Sequence, residues 1–233
     1  MIRLLVVEDD ANLSYIIQGG LEDMIGDYEV TVAHNGKEGL EAYQKSKPDV
    51  IVADIEMPIM DGYEMVRRIR ETDREIPILF SSARVSPKDV VKGYELGVDN
   101  YVKKPFMPEE LDAHIHALLR MKKGITEKET AQMLTAGSYT LDPVQATLRH
   151  TSGSTQLLTP RETGILDLLF RKPGEVVRRE VILDKFWNTE DDYFASRSLD
   201  VFVTKLRKLI SKDETVCIKT VKGIGLMLIS EER

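Results

Sequence analysis

Acidic, hydroxyl and ammonium side chains in the first half of the chain each follow a short apolar run. Asp54 is a single carboxylate after the apolar run 50–53, and a loop that contains Pro58 comes next. Three further runs end in the same way, at Glu8-Asp9-Asp10, at Ser81-Ser82-Ala83 and at Lys104-Pro105-Phe106. Because the ends of parallel strands open on one edge of a sheet, where ligands bind, these groups are expected to meet there.

Asp54 is the candidate nucleophile of a phosphoryl transfer. An anionic carboxylate must approach an anionic phosphoryl group, and a bound divalent cation offsets that repulsion. Glu8, Asp9 and Asp54 supply oxygen ligands suited to Mg²⁺, which keeps waters and binds through one or two carboxylates plus phosphate oxygens. The residues therefore predict a magnesium-dependent phosphoacceptor site.

Strand-like and helix-like runs alternate through the first half. Strands are predicted at Ile2–Val7, Tyr28–Val32, Val50–Ala53, Ile78–Phe80 and Tyr101–Lys103. Helices are predicted at Leu13–Met24, Lys37–Lys45, Tyr63–Arg70, Pro87–Leu96 and Pro108–Met121. Alternation of this kind predicts a parallel sheet that is covered by helices on both faces.

Residues 1–121 resemble the receiver domain of a two-component response regulator. The resemblance rests on the order of four pieces, which are the acidic cluster, Asp54, the hydroxyl-Ala pair Ser82-Ala83 and Lys104-Pro105. Few other folds share this order, although each piece alone is a weak signal. The resemblance implies an α/β fold, a doubly wound, five-stranded parallel sheet of the flavodoxin-like kind.

The same resemblance implies a ligand set for Mg²⁺. Asp9 and Asp54 would bind the ion directly, Glu8 would bind it through water, and the main-chain carbonyl of Glu56 would complete the site. A further hypothesis pairs Glu56 with Arg84 as a lid that slows hydrolysis of the acyl phosphate. The alternative is that both side chains are solvated independently.

The resemblance also assigns roles to Lys104, Ser82 and Tyr101. Lys104 would pair with a phosphoryl oxygen, and Ser82 would donate its hydroxyl to another. The Ser82 hydroxyl would move toward the phosphate, and the ring of Tyr101 would follow into the vacated space. Ser82 stands where the family more often has Thr, so this coupling is expected to be softer. Taken singly, each residue is equally compatible with an ordinary surface or turn position.

Length and composition favour about two domains in a reducing compartment. The chain has 233 residues and one cysteine, Cys217, so an intrachain disulfide is excluded. The apolar start 1–7 is too short for a signal or membrane segment, which indicates a cytoplasmic protein. Residues 1–136 carry 17 Lys and Arg against 25 Asp and Glu, a net charge of −8, and residues 137–233 carry 15 against 14, a net charge of +1. We predict a linker at 122–136 and a second domain at 137–233.

The second domain is predicted as short strands, then three helices and a hairpin. A capped helix start is predicted at Thr159-Pro160-Arg161-Glu162. Residues 157–229 resemble the α+β winged helix-turn-helix effector domain of the OmpR/PhoB family. Three motifs in family order carry this resemblance, Leu158-Thr159-Pro160-Arg161-Glu162, Arg197-Ser198-Leu199-Asp200-Val201 and Thr220-Val221-Lys222-Gly223-Ile224-Gly225.

The helix predicted at 196–209 has the pattern of a DNA-recognition helix. Leu199, Val203, Leu206 and Ile210 recur at helical spacing and predict a packed face, while the other side carries a basic stripe. A major groove accepts such a helix, although a merely solvated face has the same pattern. With the resemblance added, the predicted DNA-binding set is Arg197, Ser198, Val201, Thr204, Lys205, Arg207, Lys208, Thr220 and Lys222.

Activation in this family runs through a symmetric receiver homodimer held by ion pairs between subunits. Lys92, Asp99, Glu110 and Arg120 fit that face, but the set is incomplete, because His114 stands there where relatives usually carry Arg. Asp99 opposite His114 would make the dimer sensitive to pH, because histidine changes its charge near neutrality. The alternative is that His114 is a surface residue and that apolar contacts hold the dimer.

Three functional classes are compatible with the sequence. The first is a response regulator that accepts a phosphoryl group from a sensor histidine kinase and, as a dimer, binds promoter DNA and regulates transcription. It would contact RNA polymerase through the acidic loop 187–195. The second is a DNA-binding protein with a receiver that does not switch. The third is an enzyme such as a phosphohydrolase, which would need a second acid two residues after its nucleophile; Glu56 has the spacing but the wrong length.

Overall fold

A computed structural model describes residues 1–83, 86–126, 132–187 and 195–230. The chain divides into two compact units, Met1–Leu119 and Arg120–Arg233. Within the described residues, no helix is both long enough and apolar enough to cross a membrane.

The first unit is built on a five-stranded parallel sheet with the order β2-β1-β3-β4-β5. The strands are β1 (Ile2–Val7), β2 (Tyr28–Ala33), β3 (Val50–Asp54), β4 (Ile78–Ser82) and β5 (Asn100–Lys103). The helices are α1 (Ala11–Gly19), which continues as a π-helical turn at Gly20–Ile25, then α2 (Gly36–Ser46), α3 (Gly62–Thr72), α4 (Pro87–Leu96) and α5 (Pro108–Thr126). The predicted doubly wound parallel fold is confirmed.

The central strands are apolar because helices cover both faces of the sheet. In β3, residues 50–53 are at most 1% exposed, so the strand reads as a continuous apolar run rather than an alternating one. Loops at the carboxyl edge then lead into capped helices. Asp10 caps α1, Asp61 caps α3 and Ser86 caps α4, in each case by accepting backbone N–H groups of the first turn. The caps fix where the loops end, and so fix the edge that holds the polar side chains.

The second unit contains two antiparallel sheets and three helices. One sheet has the order β6-β7-β8-β9, from β6 (Leu134–Ala136), β7 (Tyr139–Asp142), β8 (Thr147–His150) and β9 (Thr155–Leu157). The other has the order β10-β12-β11, from β10 (Val176–Arg178), β11 (Val216–Val221) and β12 (Gly225–Ser230). The helices are α6 (Pro160–Phe170), α7 (Arg179–Phe186) and α8 (Ala195–Leu209). The predicted succession of strands, helices and hairpin is present, but two strands were not predicted: β6 at the start, and β10, which lies where a turn was predicted.

The predicted capping box at the start of α6 is confirmed. The Thr159 hydroxyl accepts the backbone N–H of Glu162, and the Glu162 carboxylate accepts the N–H of Thr159 at 2.9 Å. Both side chains are buried, which makes these two bonds part of the core of the unit.

The predicted linker at 122–136 differs from the structure at both ends. Helix α5 continues to Thr126, and β6 occupies Leu134–Ala136, while 127–131 lie outside the described residues. The absence of apolar periodicity after residue 121 suggested a loop, but periodicity alone does not fix where a helix ends, and lysine, present at 122 and 123, is a good helix former. The domain limits at 121 and 137 therefore remain predictions.

Candidate phosphoacceptor pocket and DNA-binding helix

Four of the predicted pocket residues meet at the carboxyl edge of the parallel sheet. Asp54 ends β3, Glu8 and Asp9 follow β1, and Lys104 follows β5. The Lys104 ammonium lies 2.5 Å from Asp54 Oδ2 and 2.6 Å from Glu8 Oε2. The other carboxylate oxygen of Asp54 accepts the backbone N–H groups of Ile55 at 2.5 Å and of Glu56 at 3.3 Å. The acceptor is thereby held in one orientation from both sides.

The acidic side chains of the pocket form a set that could hold a metal ion. Glu8, Asp9 and Asp54 each offer a carboxylate oxygen, and these oxygens all lie within 4.8 Å of one another. Asp9 is exposed while Glu8 and Asp54 are buried, so an ion at this place would face both solvent and the acceptor. An all-oxygen set with access to water suits a hard cation such as Mg²⁺. The residues fit the ion that the resemblance implies.

Burial and charge act against each other in this pocket. Burial raises the pKa of Glu8, while the hydrogen bond and the charge of Lys104 lower it, and the net direction is upward. Burial lowers the pKa of Lys104, but its hydrogen bonds to Asp54 and Glu8 raise it more. Lys104 therefore stays a cation, and its charge is already placed beside the oxygen atoms of Asp54.

Gly62 is a pocket residue that the sequence reasoning did not single out. A Cβ atom at this position would lie 2.2 Å from the carbonyl oxygen of Asp54, which is far inside contact distance. The N–H of Gly62 donates to the carbonyl of Ile55 at 2.9 Å. Only glycine lets α3 start this close to the acceptor. The Asp61-Gly62 pair after the proline loop was the available signal.

Ser82 and Tyr101, the two residues of the switch hypothesis, are both buried, and their role in a switch stays a prediction. Ser82 ends β4 and is 2% exposed, next to Lys103 in the β4–β5 register. The ring of Tyr101 is also 2% exposed and points inward, where its hydroxyl donates to the carbonyl of Asp89 in α4 at 3.0 Å. Burial raises the pKa of Tyr101, so its hydroxyl remains a donor. Gly93 makes the space, since a Cβ there would collide with the Tyr101 hydroxyl.

The recognition helix α8 packs as the periodicity predicted. Leu199, Val203, Leu206 and Ile210 are all at most 4% exposed. Phe202 is buried as well, beside Trp187 at a ring distance of 5.8 Å. The guanidinium of Arg161 lies 4.2 Å from the Trp187 ring centroid. Phe202 of α8 therefore packs against an aromatic and cationic cluster.

The structure corrects two of the predicted DNA contacts. Ser198 is fully buried and cannot reach a duplex. The ammonium of Lys205 lies 2.5 Å from Oε1 of the buried Glu162, with only 16% of the Lys205 side chain exposed. Helical spacing placed Lys205 in the basic stripe, and the resemblance added Ser198, but neither could show that α6 carries a buried carboxylate beside Lys205. Lys205 is an internal ion-pair partner.

The remaining predicted DNA contacts lie on the surface of the unit. Val201 is half-buried, and the exposed ones are Arg197, Thr204, Arg207, Lys208, Thr220 and Lys222. Arg207 also holds the helix against the hairpin, by donating to the carbonyl of Ile218 at 2.8 Å and to the Thr220 hydroxyl at 2.9 Å. These two bonds set the distance between the helix and the wing.

Arg179 at the start of α7 is a second residue that the sequence reasoning missed. Its guanidinium lies 2.8 Å from the carboxylate of Asp200 and donates to the backbone carbonyl and the hydroxyl of Ser196. It therefore joins α7 to the first turns of α8. The Asp200 of the Arg197–Val201 motif is the partner that could have indicated it.

The predicted dimer face includes one residue that the structure places elsewhere. Asp99 is fully buried and pairs with Arg70 at 3.2 Å, and it also accepts the N–H of Ile78 at 2.9 Å. It therefore cannot meet a second subunit, and the predicted pH-sensitive pair of Asp99 with His114 is wrong. His114 lies instead 2.9 Å from the amide of Asn100. Lys92, Glu110 and Arg120 are exposed, and their role at a dimer face remains a prediction.

Two sequence hypotheses concern residues outside those described. Arg84, the partner in the proposed lid with Glu56, is one of them. Most of the acidic loop that was assigned to RNA polymerase, 188–194, is the other. Both hypotheses stay predictions.

Comparison with known proteins identifies both units. Residues 4–116 match the response regulator receiver domain, and residues 153–228 match the family described as transcriptional regulatory protein, C terminal. A receiver joined to this effector unit defines a transcriptional response regulator of a two-component system.

Curated relatives align with this chain over nearly their whole length. The chain is 35% identical over 231 residues to the transcriptional regulatory protein RprY of Bacteroides fragilis, covering 99% of this chain and 96% of RprY. It is 37% identical over 234 residues to the transcriptional regulatory protein PcoR of Escherichia coli, covering 100% of both. The response regulator DrrB, described as a Thermotoga maritima OmpR/PhoB homolog, matches with a TM-score of 0.50 and 31% identity over 99% of this chain and 100% of DrrB. The chain belongs to the OmpR/PhoB family of two-component response regulators.

Proposed function

We propose that Asp54 accepts a phosphoryl group from a sensor histidine kinase and that this step controls how the second unit binds promoter DNA. The observation that carries the proposal is the pocket itself, in which Lys104 bridges Asp54 and Glu8 at 2.5 and 2.6 Å. A carboxylate that is oriented by backbone N–H groups and faced by a lysine is arranged for in-line attack on phosphorus.

The transfer leaves the chain with an acyl phosphate and needs no further catalytic group from it. A carboxylate oxygen of Asp54 forms the new bond to phosphorus, and the phosphorus–nitrogen bond of the donor histidine breaks. Lys104 then pairs with an oxygen of the transferred group, and the buried hydroxyl of Ser82 donates to another. The chain is thus a receiver of phosphoryl groups, with self-phosphorylation by small donors and hydrolysis of its own acyl phosphate as its expected chemistry.

Glu8, Asp9 and Asp54, with the main-chain carbonyl of Glu56, are the residues that would hold Mg²⁺. When bound, the ion would neutralise charge between the acceptor and the phosphoryl oxygens. The described residues contribute orientation. Asp9 stays accessible to solvent, while Lys104, which also pairs with Glu8, holds Asp54.

The second unit is proposed to place α8 in a major groove and the β11–β12 hairpin against the adjacent backbone. The exposed groups that support this are Arg197, Val201, Thr204, Arg207 and Lys208 on the helix and Thr220 and Lys222 on the hairpin. Arginine and lysine contacts to phosphates give register, and short side chains such as Thr204 read base edges. Arg207 is expected to act mainly as the brace between helix and wing.

The proposed setting is the cytoplasm, where the sensor kinase and the promoter are both accessible to one protein. A homodimer would bind two half-sites, and RNA polymerase would be its further partner. Of the dimer face, Lys92, Glu110 and Arg120 keep the exposure that contact with a second subunit needs.

The proposed acceptor is tested by intact-mass measurement after incubation with Mg²⁺ and acetyl phosphate. We expect one phosphoryl group per chain in the wild-type protein and none in Asp54→Asn, because the amide is not a nucleophile of comparable strength. Asp10→Asn is the matched control. It changes a neighbouring exposed carboxylate that caps α1, and asparagine caps equally well, so uptake should persist.

Uptake that survives in Asp54→Asn would show that the phosphoryl group goes elsewhere and would overturn the assignment. Failure of uptake in the folded wild-type protein, with a second receiver protein as positive control, would favour a receiver that does not switch.

A further inference from the structure

Two tyrosine hydroxyls converge on one backbone carbonyl at the start of α4. Tyr101 donates to the carbonyl of Asp89 at 3.0 Å, and Tyr63 donates to the same oxygen at 3.2 Å. Tyr63 is 8% exposed and Tyr101 is 2% exposed. A carbonyl oxygen has two lone pairs, so it can accept both bonds at once. The first turn of α4 is therefore held by β5 through one ring and by α3 through the other.

Tyr63 is also placed next to the backbone of the phosphoacceptor. It follows Gly62, whose close approach to the Asp54 carbonyl leaves no room for a Cβ atom. The Gly62 N–H donates to Ile55 at 2.9 Å, which ties the start of α3 to the residue directly after Asp54. If the backbone after Asp54 moves, Gly62 must move with it. The Tyr63 ring then moves as well, because Tyr63 is the next residue along the chain.

Packing leaves the Tyr63 ring little freedom to absorb such a displacement. Its ring meets Phe80 edge to face at 5.5 Å, and Phe80 meets Tyr101 in the same way at 5.5 Å. Phe80 is fully buried and contacts both tyrosine rings. On the outer side, the ammonium of the exposed Lys92 lies 3.7 Å from the Tyr63 ring centroid. Tyr63 thus contacts α4 at Asp89 and again at Lys92.

We propose that Tyr63 is a positioning residue of the phosphorylation switch, through which the state of Asp54 reaches α4 by way of α3. This inference rests on the proposed function. A contact shifts a two-state equilibrium only if it differs between the states. Tyr63 and Tyr101 share one acceptor while Tyr101 points inward, and the resemblance assigns inward Tyr101 to the phosphorylated state. The Tyr63 hydroxyl therefore favours that state.

Tyr63→Phe tests the hydroxyl, since it keeps the ring and its contacts with Phe80 and Lys92. We expect unchanged phosphoryl uptake by intact mass, and amide hydrogen exchange in the first turns of α4 that is faster by about two- to tenfold, the equivalent of one hydrogen bond. The extra protection of α4 that phosphorylation gives should shrink in the variant. Tyr43→Phe is the matched control, because the Tyr43 hydroxyl donates to Asp73 at 2.8 Å, away from α4.

A double-mutant cycle with Tyr101→Phe separates a positioning role from a general loss of stability. Because both hydroxyls donate to one carbonyl, their effects on α4 exchange should not add. Additive effects, or α4 exchange in Tyr63→Phe equal to that in Tyr43→Phe, would overturn the inference while leaving the acceptor role of Asp54 intact. Absence of phosphoryl uptake in the wild-type protein would instead refute the proposed function, and with it a role for Tyr63 in the switch.

Discussion

Arg70→Met is expected to destabilise the first unit by about 3 to 5 kcal/mol, the usual cost of breaking a buried ion pair from one side. The Arg70 guanidinium lies 3.2 Å from Asp99, and these two side chains are 5% and 0% exposed. It also donates to the backbone carbonyls of Gly97 at 3.0 Å and of Ile76 at 2.7 Å. The variant keeps the Asp99 carboxylate in the interior but removes the cation and these donors.

The measurement is urea unfolding followed by far-ultraviolet circular dichroism, with hydrogen exchange of β4 amides as the local readout. Arg68→Met is the matched control, because Arg68 is 49% exposed and pairs with Glu64 on the surface, where an ion pair contributes at most about 1 kcal/mol. Equal stability of the two variants would contradict the buried pair, and would return Asp99 to the candidates for contact with a second subunit.

Lys205→Met is expected to destabilise the second unit by about 3 kcal/mol without changing how DNA binding depends on salt. Its ammonium lies 2.5 Å from the carboxylate of Glu162, which is 1% exposed and which also closes the capping box of α6. Methionine fills a similar volume but leaves that carboxylate without the lysine. Lys205 would then be required for the fold of the DNA-binding unit rather than for contact with phosphates.

Lys208→Met is expected to change DNA binding rather than stability, because Lys208 is exposed on the same helix. We expect the free energy of unfolding to change by no more than about 0.5 kcal/mol. Binding to sheared duplex DNA should release about one counterion fewer, so that it depends less on salt concentration. Stability is followed by the fluorescence of Trp187, the only tryptophan in the sequence. A stable Lys205→Met protein with reduced salt dependence would show that Lys205 faces DNA after all.

Much of the phosphoacceptor pocket was predictable because its residues sit at ends of strands. Once Val50–Ala53 and its neighbours are assigned to a parallel sheet, topology alone brings Asp54, Glu8 and Lys104 to one edge. No side-chain detail was needed for that step. The apolar face of α8 was predictable for a similar reason, since its spacing fixes which side packs.

The errors arose where a residue's partner lies on a distant element. Asp99 follows α4 in a loop that normally faces solvent, and only the tertiary fold shows that Arg70 of α3 reaches it. Lys205 has the spacing of a surface residue, but its ammonium pairs with the buried carboxylate of Glu162 in α6. The sequence did not indicate where the backbone is strained either. Ile59, in the loop between β3 and α3, adopts a φ of 68°, where a β-branched residue would not be expected.

Control of DNA binding by the receiver is tested most directly by measuring the affinity of the full chain for duplex DNA, before and after treatment with Mg²⁺ and acetyl phosphate. The duplex is selected from a random-sequence library by the untreated protein and again by the treated protein, so that neither state is favoured. We expect treatment to tighten binding by about fivefold to 150-fold, the usual range of coupling between two sites. Asp54→Asn should show no gain. Equal affinity in both states, in a protein whose mass shows the phosphoryl group on Asp54, would contradict control of DNA binding by the receiver.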